Sequence, residues 1–103
     1  MSGYSLSDLL NLVLQERAEG LEIIPGKPPI IHLRRELFPV EGPAVTTEES
    51  REHFKAVASD EQQREMDRCG DVRFLFRFGE SARFGVTASI DHEKITLQFR
   101  NLI

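Results

Sequence analysis

Between residues 74 and 99 the chain alternates apolar and polar positions in three bursts: Phe74/Phe76/Phe78, Phe84/Val86/Ala88/Ile90 and Ile95/Leu97/Phe99. A period of two is the signature of pleated strands with one buried side. The pattern predicts three consecutive strands sharing an apolar face, with Asp91-His92-Glu93-Lys94 as the turn before the last. Arg73, Arg77, Arg83 and Arg100 fall on the opposite face, among Thr87, Ser89, Thr96 and Gln98.

Upstream the period becomes helical. Leu6, Leu9, Leu10, Val13 and Leu14 recur at three and four behind Ser5, which predicts a capped helix running to about Glu19 and closed by Gly20. Leu21–Ile24 and Ile30–Leu33 are short extended runs, separated by Pro25-Gly26-Lys27-Pro28-Pro29, whose adjacent prolines cannot donate to a ladder. Leu37–Val40 continues as a hairpin partner across Arg34-Arg35-Glu36, with no Asn-Gly or Asp-Gly to set the turn type. Thr46 with Glu49, and Ser59 with Gln62, are capping-box pairs that open two further helices. The first points Phe54, Val57 and Ala58 inward, and the second points Met66 and Cys69 inward before stopping at Gly70.

This order predicts an α+β domain, an antiparallel sheet of about five to six strands covered on one face by about three helices. With 103 residues the chain makes a single domain, residues 1–103. Its net charge of −4 is unevenly spread: residues 41–71 hold nine acids against four bases, and residues 72–103 five bases against three acids. Such a balance argues against nucleic acid as a partner, because nucleic-acid binders carry a clear positive excess. The lone Cys69 and the Met1-Ser2-Gly3-Tyr4 start, which has no secretory signal character, place the protein in the cytoplasm with no membrane insertion.

The chain lacks the residues for a reaction. Gly26-Lys27 runs into two prolines, so no glycine-rich loop opens a helix toward a phosphate. His32, His53 and His92 stand on a strand, a helix and a turn without a second ligand at metal spacing, and Cys69 has no adjacent base. Acidic pairs such as Glu48/Glu49 and Asp60/Glu61 sit in first helical turns, where they complement the dipole. The chain is therefore read as a non-enzyme without cofactor or metal of its own. The arginine face is the candidate site, since guanidinium groups hold phosphates or carboxylates bidentately. The competing reading is a solvated face whose arginines pair with Glu80, Asp91 or Glu93.

Several segments together resemble the N-terminal domain of type IV pilus retraction (twitching motility) ATPases, the PilT-like branch of the secretion ATPases. They are the Ser5–Glu19 helix, Gly20-Leu21-Glu22-Ile23-Ile24, the Gly26-Lys27-Pro28-Pro29 break, Ala82-Arg83-Phe84-Gly85-Val86 and Phe99-Arg100-Asn101-Leu102-Ile103. The resemblance implies a PAS-like domain that precedes a RecA-like motor, packs on a motor domain in a hexameric ring, and lies near the ATP and Mg of that motor. It assigns Arg83 and Arg100 to nucleotide-side or intersubunit contacts, with Arg73 and Arg77 as further interface positions. Gly85 stands where the family pattern has a second arginine. Two other readings fit the residues: a free-standing PAS-like sensor of a small ligand, and an acidic secretion-chaperone-like dimer.

Overall fold

The computed structural model describes residues 4–102; Met1-Ser2-Gly3 of the start and Ile103 of the closing motif lie outside the described residues. Helix α1 spans Leu6–Gln15, followed by strands β1 (Gly20–Ile23), β2 (Ile30–Leu33) and β3 (Glu36–Pro39). Helices α2 (Thr47–Val57) and α3 (Asp60–Cys69) come next, then β4 (Asp71–Phe78), β5 (Ala82–Asp91) and β6 (Lys94–Asn101). The six strands form one antiparallel sheet in the order β3-β2-β1-β6-β5-β4. The three helices lie on one side, α1 against β1, α2 against β6, and α3 against β4 and β5.

The predicted caps form. Thr46 and Ser59 each accept from the backbone three residues on, while Glu49 and Gln62 reach back to the cap N–H, so four otherwise orphaned donors are satisfied. At α1 only half the box forms: Ser5 accepts from the Asp8 N–H. The end of α1 differs from expectation. Arg17, not Gly20, takes the left-handed conformation at φ 55°, with Ala18 N–H bonded to the Val13 carbonyl and Arg17 N–H to that of Leu14. This is a Schellman closure, and buried Ala18 and Val13 supply its apolar contact. Gly20 instead opens β1, where a side chain would drive its Cβ into the Phe99 carbonyl oxygen of the neighbouring strand.

Both two-residue hairpins turn through left-handed pairs, Arg34-Arg35 (φ 54° and 67°) and His92-Glu93 (φ 53° and 68°), the geometry of type I′ turns. Neither carries the usual glycine or asparagine, which is why the first turn had no type in the sequence reading. The core packs Leu10, Val13, Leu21, Ile23, Phe84, Leu97 and Phe99 between helices and sheet. Phe84 meets Phe99 edge-on at 6.3 Å between centroids. Buried Ser50 donates its hydroxyl to the Ile95 carbonyl, tying α2 to β6.

One expectation is corrected by this packing. Cys69 is exposed rather than inward, because the stripe of α3 that faces the sheet runs through Gln62, Met66 and Gly70, leaving Cys69 on its flank. Phe74, Phe76 and Phe78 are half-buried, since β4 lies at the sheet edge where the helix cover thins.

Candidate functional site

The strand register sets the open face of the sheet as rows of side chains running across the strands. One row reads Leu75, Gly85, Arg100, Gly20, His32, Leu37 from β4 to β3. The row beside it begins Arg73, Thr87, Gln98, Glu22. On the other side Arg77 stands directly opposite Arg83, and Leu102 continues past β6 with its N–H on the Arg83 carbonyl at 3.0 Å.

All four predicted arginines are therefore brought onto one exposed face, over β4, β5 and β6. Among the described residues none has a carboxylate within ion-pairing distance: the ion pairs are Glu22 with His32 and Asp91 with His92. Glu93 uses its backbone carbonyl to accept from the Arg51 guanidinium at 2.9 Å. Glu80 borders the same hollow of about 290 Å³ as Arg77 and Arg83 but pairs with neither. Among the described residues Glu80, Asp91 and Glu93 thus form no ion pair with these arginines. Like charges directly opposite in an antiparallel pair destabilise it, so the Arg77–Arg83 juxtaposition is one the isolated fold does not favour.

The two glycines of the central row leave Arg100 standing between two depressions. Toward β4 and β5, a hollow of about 430 Å³ is bordered by Arg73, Leu75, Gly85, Thr87, Gln98 and Arg100. Leu102, which borders the neighbouring hollow with Arg77 and Arg83, lies 3.8 Å from where a Cβ on Gly85 would sit. Toward β1 and β2, a smaller one of about 210 Å³ includes Glu19, Gly20, His32 and Arg100. Here Glu22 accepts from the Gln98 amide at 2.9 Å and contacts His32 Nε2 at 3.3 Å. The face is thus divided, cationic over β4 to β6 and acidic with an imidazole over β1 and β2. Groups of this kind bind and orient anions; no pair among them is arranged as nucleophile and base.

The sequence reading placed no weight on Leu75 or on the Glu22–His32–Gln98 network. Leu75 is 71% exposed in the middle of the arginine face. Its signal was available, as the one apolar residue at an outward position between Arg73 and Arg77. The network had none, because residues 22, 32 and 98 meet only through strand order. His53, on α2, lies away from this face; its Nε2 is buried without a partner, and burial lowers its pKa below the ordinary histidine value against the pull of Glu49 and Glu52.

No protein-family model and no curated protein matches the chain by sequence. In three dimensions its fold is that of the N-terminal domain of PilT-like secretion ATPases. Over 98% of its length it superposes on the pilus retraction motor PilT solved with bound ADP, at TM-score 0.88 and 17% identity. The ATPase DotB of Legionella pneumophila matches 92% of the chain at 0.78 and 15% identity, and DotB of Yersinia pseudotuberculosis 94% at 0.70 and 14%. The chain spans 30%, 27% and 29% of these three proteins respectively. As expected, it is an α+β fold with three helices on one side of a six-stranded antiparallel sheet. Among the described residues no helix is long and apolar enough to cross a membrane.

Proposed function

We propose that residues 1–103 act as the N-terminal assembly and coupling module of a cytoplasmic PilT-like type IV pilus ATPase, without hydrolysis of their own. The module docks its arginine face on a RecA-like motor domain, close to the ATP and Mg held by that motor in the hexamer. The fold likeness supports the placement, since the chain corresponds to less than a third of each motor protein it superposes on. The observation that carries the docking face is the opposed pair Arg77 and Arg83, which forms no ion pair among the described residues and is continued by Arg73 and Arg100. An anionic surface or a nucleotide phosphate placed there relieves a repulsion that the domain alone cannot relieve. Gly85 narrows the contact set relative to the family pattern and replaces a reaching side chain with a depression beside Arg100.

The test is a titration of this chain against a separately prepared RecA-like motor domain of a PilT-like ATPase, with ADP or ATP present. Binding should weaken with salt, and Arg83→Glu with Arg100→Glu should weaken it about tenfold or more. Binding indifferent to both reversals, or ATP turnover by the chain alone, would sink the proposal. A small molecule co-purifying with the chain would shift support to the PAS-like sensor.

A further inference from the structure

The two edges of the sheet are not protected alike. Edge strands expose unpaired backbone N–H and C=O groups, and soluble proteins blunt them by shortness, proline, bulges or charge. Strand β3 is four residues long and contains Pro39. Strand β4 is eight residues long, unbulged against β5, and free of proline and glycine. Its core-side Phe74, Phe76 and Phe78 are only half-buried, and Leu75 projects from the other side. Only charge guards this edge, and charge guards a given pairing only when the register sets like against like.

We propose that β4 is a self-association edge, on which a second copy of this chain pairs its own β4 antiparallel about a twofold axis at Phe74. The register follows from the charges. A twofold about Leu75 would set Arg73 against Arg77 twice, and one about Arg73 would set that arginine against itself. A twofold about Val72 pairs Asp71 with Arg73 but engages only the first residues of the strand. About Phe74 the contact runs from Asp71 to Arg77. Asp71 of each copy then faces Arg77 of the other, Val72 faces Phe76, and Phe74 meets its counterpart. Opposite charges and aromatic pairs in direct cross-strand positions are the stabilising kind. The product is a continuous sheet across two copies, with both open faces on the same side. This association goes beyond the docking role above; it draws Arg77 into the strand pairing and leaves Arg83 and Arg100, on β5 and β6, accessible. A single strand pair buries little surface, so the dimer is weak and concentration-dependent.

Sedimentation velocity of the chain alone, over a concentration series, tests it, with amide hydrogen exchange across residues 71–78 as a second readout. The expected result is reversible dimerisation, with the outward amides of β4 exchanging more slowly as concentration rises. Arg77→Glu should weaken the dimer about tenfold, by replacing two attractions with two repulsions, while the new carboxylate faces Arg83 within its own sheet and favours folding. The exchange Asp71→Arg with Arg77→Asp should restore dimerisation. A monomer at every concentration with unchanged β4 exchange overturns the proposal, as does a dimer that ignores Arg77→Glu or is not restored by the charge exchange. Because no motor domain is present, failure here is distinct from failure of the docking role.

Discussion

On the helix side of the sheet, Leu21, Leu97, Phe99, Phe84 and Val86 from β1, β6 and β5 are each no more than 1% exposed. On the other side β4, β5 and β6 carry four exposed arginines that form no ion pair with a carboxylate among the described residues. One face is complementary to the rest of the chain and the other is not. Side chains that satisfy each other inside the fold report on stability, whereas exposed like charges gathered on one face are free to meet a partner of opposite charge. Mutations on the two faces should therefore separate cleanly, with stability moved from one side and binding from the other.

The largest effect expected is from the packed side. Phe84 is fully buried on β5, between the edge strand β4 and β6, and meets both Phe78 and Phe99 edge-on. Phe84→Ala removes this contact and leaves a cavity between helices and sheet, at a cost of about 3–5 kcal/mol. Urea or thermal unfolding measures it directly. A loss below about 1 kcal/mol would show that this face is not the tightly packed one, and the comparison would collapse.

How much of this was legible beforehand follows the range of each cause. Alternation from Phe74 to Phe99 and the two capping boxes are local, so strands and helix starts could be read from neighbouring residues. The arginine face was legible for the same reason, since parity along a strand places Arg73 and Arg77, or Arg83, on one side. What failed depended on through-space partners or on finer backbone detail. Arg17 closes α1 with its own N–H on the Leu14 carbonyl while the next residue, Ala18, bonds that of Val13, a choice that glycine spacing does not announce. Cys69 is exposed because α3 rests on the sheet through Met66 at an angle that one buried residue does not reveal. The opposition of Arg77 to Arg83 needed the β4–β5 register, which the turn at Gly79 sets, with φ 70°. That contact, rather than the arginines singly, is what turns a polar face into a candidate site.

A smaller effect on the packed side is expected to depend on pH. His53 lies on α2 with Nε2 buried and unpartnered, and its pKa is lowered, chiefly by desolvation. As pH falls through about 6.5 the unfolded chain takes up this proton before the folded one does, so stability declines with falling pH until the folded-state pKa is passed. Above pH 7 both states are neutral and the effect vanishes. His53→Leu should therefore flatten part of the fall in melting temperature between neutral pH and pH 5, with Glu49 and Glu52 unchanged. An equally steep fall in the variant would show that carboxylates, not this imidazole, set the acid limb.

The smallest effect has the opposite sign, and is the sharpest probe of the difference between the faces. Arg77 stands opposite Arg83 with no ion-paired carboxylate among the described residues, and threonine suits an exposed strand position. Arg77→Thr should therefore stabilise the isolated chain, by about 0.2–1 kcal/mol, the range of a single cross-strand pair. Added salt should shrink the gain, because screening already weakens the repulsion in the parent chain. The same substitution should weaken binding to a motor domain, giving a variant that folds better and docks worse. A destabilisation instead would mean that the Arg77 stem contributes packing at the exposed edge of β4, alongside Phe76, that outweighs its charge. Arg77 would then belong with the residues that satisfy the fold, and the claim that this face awaits a partner would have to rest on Arg73, Arg83 and Arg100 alone.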